Sequence, residues 1–127
     1  MIMGVGVDVV QVSRMNAWLD QRDLLHRFFH DDEVSDSLSR GGEAIQRSLA
    51  ARFAAKEAFG KAIGTGLREF SLKDVQVMND DLGKPEVRLH GNALEALRRH
   101  GGGRVHISLT HEIDNAIAVV IIEEAVP

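Results

Sequence analysis

Asp8, Glu57 and Lys61 are the residues whose types and spacing point most directly to chemistry. Asp8 ends an apolar strand pattern in which Gly4 and Gly6 share its face, and the missing side chains would let a backbone or a ligand come close. Glu57 and Lys61 are four residues apart and therefore share one face of a helix. Magnesium uses one or two protein carboxylates and takes its other ligands from water and substrate phosphates. Together these side chains predict a site for magnesium and phosphate.

Each of these residues also has an ordinary structural explanation. Asp8 and Gln11 fit the spacing of a capping box at the start of the next helix. Glu57 and Lys61, in that order, would form a helix-stabilising salt pair worth roughly 0.2–0.5 kcal/mol. Against a fully solvated pair, Glu57 continues the four-residue spacing of an apolar stripe. From these residues alone, both explanations stay open.

Other segments could contact a phosphate, although each also fits a common structural role. Gly64-Thr65-Gly66 fits the end of a helix and lacks the GxxxxGK[ST] pattern of a Walker loop. Gly83-Lys84-Pro85 fits a hairpin turn, from which its lysine could reach a phosphate. His111 follows an alternating strand, where it could donate to a phosphate or act in proton transfer. Arg52 and Lys56 would either lie on a water-exposed face of the central helix or neutralise phosphate charge.

The apolar pattern predicts the elements that must position these residues. Strands are expected at 2–10, 75–78, 86–89, 104–110 and 116–122, and helices at 11–29 with a break near 20–23, at 32–39, at 43–63 and at 92–100. This order is typical of the α+β class with a largely antiparallel sheet. We therefore expect a single domain over residues 1–127, built around a long central helix.

The composition excludes several classes of protein. The 127 residues include no Cys, which excludes cysteine catalysis, disulfides and thiolate zinc sites. A net charge of −4 and an aromatic content of 5%, with no Tyr, argue against a nucleic-acid-binding surface. No segment has the length and apolarity of a signal peptide or a membrane span. We expect a cytoplasmic protein that binds neither nucleic acid nor membrane.

Four strings of the sequence resemble one family of enzymes. They are GVDVVQVSR (Gly6 to Arg14), RFAAKEAFGKAIGTG (Arg52 to Gly66), DDLGKP (Asp80 to Pro85) and HISLTH (His106 to His111). In order and approximate spacing they are similar to the holo-acyl-carrier-protein synthases, the small bacterial type of 4'-phosphopantetheinyl transferase. The resemblance extends from near residue 4 to near residue 122, whereas residues 31–43 match no diagnostic string of the family.

The resemblance implies a role for each candidate residue. Asp8 and Glu57 look like the family's magnesium ligands, and Lys61 looks like its phosphate-binding lysine beside the metal. The residues implied to surround coenzyme A are Arg52, Lys56, Lys61, Gly64, Thr65, Gly66, Gly83, Lys84, Pro85, Ser108 and His111. The catalytic candidates are Glu57, Lys61 and His111, and the general base stays open between Glu57, a metal-bound water and another acid.

The resemblance also implies partners and an assembly. Arg14 matches the family's basic residue for docking an acidic acyl carrier protein, and Arg22 and Arg27 would extend that surface. The family is homotrimeric, with active sites at subunit interfaces, and serves fatty acid biosynthesis. Its reaction moves 4'-phosphopantetheine from coenzyme A to a carrier serine and releases 3',5'-ADP. Two rival hypotheses are a magnesium-dependent nucleotide hydrolase and a non-catalytic binding partner of carrier proteins.

Overall fold

The computed structural model describes all 127 residues and contains five strands and five α-helices. In chain order they are β1 (Ile2–Gln11), α1 (Arg14–Leu19), α2 (Arg22–Phe28), α3 (Asp31–Leu38), α4 (Ala44–Ile63), β2 (Val75–Asn79), β3 (Pro85–Leu89), α5 (Gly91–Arg99), β4 (Gly102–His111) and β5 (Asn115–Glu124). A short 3₁₀ helix, Leu72–Asp74, leads into β2. None of the helices has the length and apolar character needed to cross a membrane.

The strands form two antiparallel sheets beside one long helix. The larger sheet has the order β1-β5-β4, and β2 pairs with β3 in a separate hairpin. α4 lies across one face of the larger sheet and contacts β1 and β5 most extensively. The core is a cluster of 27 buried hydrophobic residues contributed by α4, the larger sheet and the elements packed around them. The predicted α+β class, with a largely antiparallel sheet and a long central helix, is confirmed.

Two glycines let α4 approach the backbone of β1. A Cβ atom added at Gly4 would lie 2.0 Å from the carbonyl oxygen of Ala62, and one added at Gly6 would lie 1.9 Å from that of Ala58. Such distances are shorter than any tolerable contact, so each position requires glycine. Of the two explanations left open by the sequence, close approach of a backbone is the one that the structure bears out. We call this contact the glycine seam.

β1 is longer and the first helix shorter than the sequence pattern predicted. Pairing of β1 with β5 continues to Gln11, opposite Asn115, so the strand extends beyond the expected helix start. The predicted first helix divides into α1 and α2. Asp8 pairs opposite Ala118 within β1, and the interpretation of Asp8 as a helix cap is therefore wrong. Ser13 occupies the N-cap position of α1 and makes no capping hydrogen bond through its side chain.

The opposite face of the larger sheet is apolar and exposed. Val5, Val7 and Val9 of β1 point away from α4 and are 56%, 49% and 56% exposed. Their register partners on β5 are Ile121, Val119 and Ile117, which are only partly covered. Monomeric soluble proteins rarely leave a contiguous apolar surface of this kind uncovered. We call this surface the open sheet face.

Candidate active site

Lys61 binds Asp8 across the contact between α4 and β1. The Lys61 Nζ atom donates to Asp8 Oδ1 at 2.9 Å and to the carbonyl oxygen of Val7 at 3.1 Å. Asp8 lies on the same face of β1 as the glycine seam, so its carboxylate points toward α4. The Asp8 side chain is 17% exposed and that of Lys61 is 55% exposed. The helical salt pair between Glu57 and Lys61, one alternative from the sequence, is absent because Lys61 pairs with the strand.

Glu57 is a half-buried carboxylate close to the Asp8–Lys61 pair. Burial raises the pKa of the Glu57 carboxyl above its usual range, and the negative charge of Asp8 raises that pKa further. The charges of Arg14 and Lys61 act in the opposite direction and lower the pKa of Glu57. Glu57 itself forms no ion pair, because Lys61 binds Asp8 instead. The site therefore brings together two carboxylates, of which Glu57 has no directly bonded cationic partner.

The donor chemistry of this pair fits magnesium. A cation placed near Asp8 and Glu57 would offset the repulsion that raises the pKa of Glu57. No group of three or more His, Cys, Asp or Glu residues is arranged to hold a metal ion. Magnesium binds through one or two carboxylates and keeps several positions for water and phosphate, so Asp8 and Glu57 supply enough protein ligands for it.

Arg14 lies beside the carboxylates and is held by aromatic rings. Its guanidinium carbon lies 5.8 Å from the ring centroid of Trp18 and 5.2 Å from that of Phe53. A cation over an aromatic face is stabilised by the ring quadrupole. Because Arg14 also lowers the pKa of Glu57, its charge acts on the site itself as well as on the surface of α1.

The surface next to Arg14 carries charges of both signs. Arg22 and Arg27 are exposed on α2, as the docking interpretation requires. Asp20, at the end of α1, and Asp23, in the first turn of α2, are exposed as well. The surface is therefore less uniformly basic than the resemblance alone would lead us to expect.

Arg52 is buried at the centre of a hydrogen-bond network. It is 3% exposed and donates through Nε to the Val77 carbonyl at 2.9 Å and through NH2 to Asp36 Oδ2 at 2.7 Å. Its NH1 atom donates to the hydroxyls of Ser37 and Ser48 at 2.6 and 2.9 Å. The hydrogen bond from Arg52 is the main reason that the pKa of Asp36 lies below its usual range. Most donors of Arg52 are thus engaged within the protein.

Lys56 lies in the interior, where its ammonium is already satisfied. It is 0% exposed and donates to Glu33 Oε1 at 2.7 Å, to the Leu72 carbonyl at 3.1 Å and to the Val75 carbonyl. A lysine ammonium has three N–H donors, so none remains for a phosphate. Contact between Lys56 and coenzyme A would require a side chain that faces solvent. The structure instead places the Lys56 side chain in the interior, between α3, the 3₁₀ helix and β2.

A groove gathers several of the other candidate residues. It has a volume of about 190 Å³ and its lining includes Arg40, Ser48, Arg52, Gly83, Pro85 and His111. The fold thus brings together residues from the central helix, the β2–β3 turn and the end of β4 that are far apart in sequence. Lys84 is exposed in the same turn, where its backbone N–H donates to Asp80 Oδ1 at 2.9 Å.

The remaining candidates lie outside this groove. Ser108 is exposed on the open sheet face, opposite Val119. Gly64 and Gly66 have positive φ angles of 99° and 64° and end α4 as predicted. The hydroxyl of Thr65 is buried without a hydrogen-bond partner. Within one chain, the residues that the resemblance implies around coenzyme A therefore do not form a single continuous site.

Sequence reasoning missed the partners of the buried cations. Glu33 and Asp36 lie on α3, in the segment that matches no family string, and they bind Lys56 and Arg52. His30 and Glu33 form a capping box at the start of α3, in which Glu33 accepts from the His30 backbone at 2.8 Å. The three-residue spacing of His30 and Glu33 is the one local pattern in the sequence that indicates a structural role for Glu33. It predicts the start of a helix but not the second role of Glu33 in binding Lys56.

Comparison with known proteins gives matches over nearly the whole chain. A family model described as the 4'-phosphopantetheinyl transferase superfamily matches residues 4–114. A holo-[acyl-carrier-protein] synthase of Treponema denticola is 54% identical over 123 residues, covering 97% of this chain and 99% of the relative. One of Trichlorobacter lovleyi is 44% identical over 126 residues, covering 97% and 98%.

Solved structures give the same result. The crystal structure of the holo-[acyl-carrier-protein] synthase from Neisseria meningitidis is similar with a TM-score of 0.86 and 34% identity, covering 98% of this chain and 100% of that one. The enzyme from Bacillus anthracis, in complex with coenzyme A (3',5'-ADP), is similar with a TM-score of 0.83 and 33% identity, covering 98% and 99%.

Proposed function

The chain belongs to the 4'-phosphopantetheinyl transferase superfamily, and from this premise we propose that it is a holo-acyl-carrier-protein synthase. It transfers 4'-phosphopantetheine from coenzyme A to a serine of an apo acyl carrier protein. The serine oxygen forms a bond to the phosphorus next to the pantetheine arm, and the bond from that phosphorus to the bridging oxygen of 3',5'-ADP breaks. The observation that carries the proposal is the grouping of Asp8, Glu57 and Lys61 around the glycine seam.

Asp8 and Glu57 would hold magnesium in this reaction. When bound, the ion would neutralise charge on the pyrophosphate of coenzyme A. Glu57 is suited to this role because it has no partner of its own, and Asp8 because its second oxygen is not used by Lys61. Lys61, more than half exposed, would donate to the phosphate that leaves.

The groove beside His111 would hold part of coenzyme A. Arg52 and the Gly83-Lys84-Pro85 turn line or border it, and His111 can donate to a phosphate from its rim. A groove of about 190 Å³ is smaller than the usual pocket for a ligand of this size, which runs from roughly 300 to 1,000 Å³. The chain alone therefore does not enclose the substrate.

Assembly into a homotrimer would complete the site. The open sheet face presents Val5, Val7 and Val9 to solvent, and a second copy packed there would cover them. Ser108 lies on that same face, which would place it at the subunit boundary, away from the groove of its own chain. In such a trimer, the residues implied to contact coenzyme A, which lie apart within one chain, would meet across a boundary between two subunits.

The exposed arginines of α1 and α2 would receive the carrier. Arg14 adjoins Glu57, and Arg22 and Arg27 extend the basic character along α2 toward an acidic partner. Docking there would bring the carrier serine to the phosphate end of the site. The substrates imply a place in fatty acid biosynthesis in the cytoplasm.

One experiment tests the proposed function. The purified chain is mixed with coenzyme A, magnesium and an apo acyl carrier protein, and the carrier is then weighed by mass spectrometry. A carrier that gains one phosphopantetheine only in the presence of metal is the expected result. Release of phosphopantetheine to water would indicate a hydrolase, and the absence of any reaction would indicate a binding partner. Glu57→Ala is the matched variant, and near-normal transfer by it would contradict the assignment of Glu57.

A further inference from the structure

Glu33 and Lys56 form an ion pair in which both side chains are 0% exposed. Lys56 Nζ lies 2.7 Å from Glu33 Oε1, which also accepts from the backbone N–H of His30 at 2.8 Å. Glu33 Oε2 accepts from the backbone N–H of Val77 at 2.9 Å. The Phe29 ring centroid lies 5.4 Å from Lys56 Nζ and closes the other side of the ammonium. Both charges are therefore fully enclosed and hydrogen-bonded.

The pair connects α4 with three other elements: α3, the 3₁₀ helix and β2. Through Glu33 it joins α3 and β2, and through the carbonyls of Leu72 and Val75 it joins the 3₁₀ helix and the start of β2. Hydrogen bonds are directional, whereas apolar contacts allow a helix to slide or rotate. The position and the rotation of α4 are consequently restrained at Lys56.

On its other side, α4 is restrained by the glycine seam. Ala58 and Ala62 contact the backbone of β1, the strand that carries Asp8. Glu57 lies between Lys56 and Ala58 in the sequence, so one restraint precedes it and the other follows it. Together they set where the Glu57 carboxylate lies relative to Asp8.

We propose that the Glu33–Lys56 pair positions Glu57 for the transfer reaction, a role that rests on the function proposed above. Stability alone does not require the pair, because replacing a buried ion pair with uncharged side chains of similar volume is often neutral or stabilising. A buried, hydrogen-bonded charge pair adjacent in the chain to a proposed metal-binding carboxylate can instead fix the orientation of that carboxylate. Neither Glu33 nor Lys56 needs to touch the substrate for this role.

The test replaces both charges at once. The double variant Glu33→Gln/Lys56→Met keeps similar volumes and leaves no buried charge unpaired. It also removes the donor to the Leu72 and Val75 carbonyls and one acceptor for a backbone N–H, so we expect a lower melting temperature, and the variants are compared at temperatures where all are folded. Because a displaced Glu57 affects the transition state more than ground-state binding, kcat should fall by about tenfold while KM for coenzyme A stays within about twofold. Affinity for Mn²⁺, measured by electron paramagnetic resonance without turnover, should weaken by about tenfold.

Leu97→Ala is the matched control for loss of stability. Leu97 is 4% exposed on α5, where its side chain lies beside Gly102 at the start of β4. It should lower the melting temperature while keeping the wild-type kcat and Mn²⁺ affinity at temperatures where it is folded. If activity in the double variant merely follows its melting temperature, as in this control, the pair is structural and the proposal is overturned.

Two further outcomes are distinguishable. A double variant with wild-type kcat and Mn²⁺ affinity overturns the positioning role. A wild-type chain that transfers nothing contradicts the proposed function, but the Mn²⁺ comparison still decides whether the pair orients Glu57. If the double variant does not fold, Glu33→Asp keeps the charges and shortens the carboxylate, and an unchanged kcat in that folded variant equally overturns the proposal.

Discussion

Lys61 and Asp8 are 53 residues apart in the chain, yet Lys61 Nζ donates to Asp8 Oδ1 at 2.9 Å. This hydrogen bond joins α4 to β1 just beyond the glycine seam, where close backbone approach brings the two elements together. Because Lys61 binds the strand, Glu57, one turn earlier on the helix, has no ion-pair partner. Lys61 thus forms a tertiary pair with Asp8 and not the local pair with Glu57 that their four-residue spacing favours.

Replacement of Lys61 by Met tests the role of its ammonium. Loss of one charged donor to the leaving phosphate should reduce kcat by about a hundredfold. Since the charge of Lys61 lowers the pKa of Glu57, its removal should also move the acidic limb of the activity profile to higher pH. Steady-state kinetics across pH measure both effects. Lys73→Met, which lies outside the site, should leave them unchanged, and equal losses in both variants would contradict the assignment.

Replacement of Glu57 by Gln tests the charge repulsion in the site. The pKa of native Glu57 is raised above the ordinary value of 4.5, so between 4.5 and the raised value the native state binds more protons than the unfolded state. Stability contributed by this residue is therefore lost as pH rises through that window. In metal-free protein, Glu57→Gln should melt at a higher temperature than the wild type at pH 7, and the difference should disappear below about pH 4.

The effect of magnesium on the melting temperature is a second measurement on the Glu57→Gln variant. Magnesium should raise the melting temperature of the wild type at pH 7 and have less effect on Glu57→Gln, because binding to the native state stabilises it. Glu95→Gln, at an exposed position of α5, is the control for loss of one carboxylate. A lower melting temperature of metal-free Glu57→Gln at pH 7 would show that the carboxylate is not repelled in the native site.

The main features of the fold were predictable because they follow from local periodicity. Alternating apolar residues predicted the five strands, and the central helix ends at Gly64, as its positive φ of 99° requires. The end of β1 was not predictable, because it depends on pairing with residues more than a hundred positions away, such as Asn115 opposite Gln11. Tertiary pairing there outweighs the local helical pattern.

The site was predictable only where side chains stay near the surface. Asp8, Glu57 and Lys61 come together as expected, whereas Lys56 lies in the interior. A lysine in an amphipathic helix normally faces water, and the burial of Lys56 depends on Glu33, which lies 23 residues away in a segment whose one local motif is a capping box. No local pattern carries that information.

A methyl group at Gly6 tests the glycine seam. Its Cβ would lie 1.9 Å from the Ala58 carbonyl oxygen, and backbone cannot move aside as a flexible side chain can. We expect Gly6→Ala to reduce the free energy of unfolding by about 1–3 kcal/mol or more. Chemical denaturation measures this quantity. Ser13→Ala, at an N-cap that makes no side-chain hydrogen bond, should stay within about 0.5 kcal/mol of the wild type.

A charge on the open sheet face tests the proposed trimer. Val7 is 49% exposed in the chain and lies in the middle of β1, so Val7→Lys should be tolerated by the fold but not by a subunit packed against it. We expect a monomer by analytical ultracentrifugation, with wild-type circular dichroism and little transferase activity. Val126→Lys, at a tail position that is 92% exposed, should remain assembled and active. A fully active Val7→Lys monomer would exclude a shared site.

Reversal of charge at Arg27 tests carrier docking apart from chemistry. Arg27 is exposed in the last turn of α2, and Arg14 is the arginine whose charge acts on Glu57, so Arg27→Glu should raise KM for the acidic carrier by about fivefold while kcat and KM for coenzyme A stay near wild type. The effect should diminish as ionic strength rises, because exposed charges are screened over about 8–10 Å at 0.1–0.15 M salt. Arg98→Glu, on the exposed face of α5, makes the same change in net charge elsewhere. If both variants raise KM for the carrier equally, net charge and not a docking surface on α2 governs the encounter.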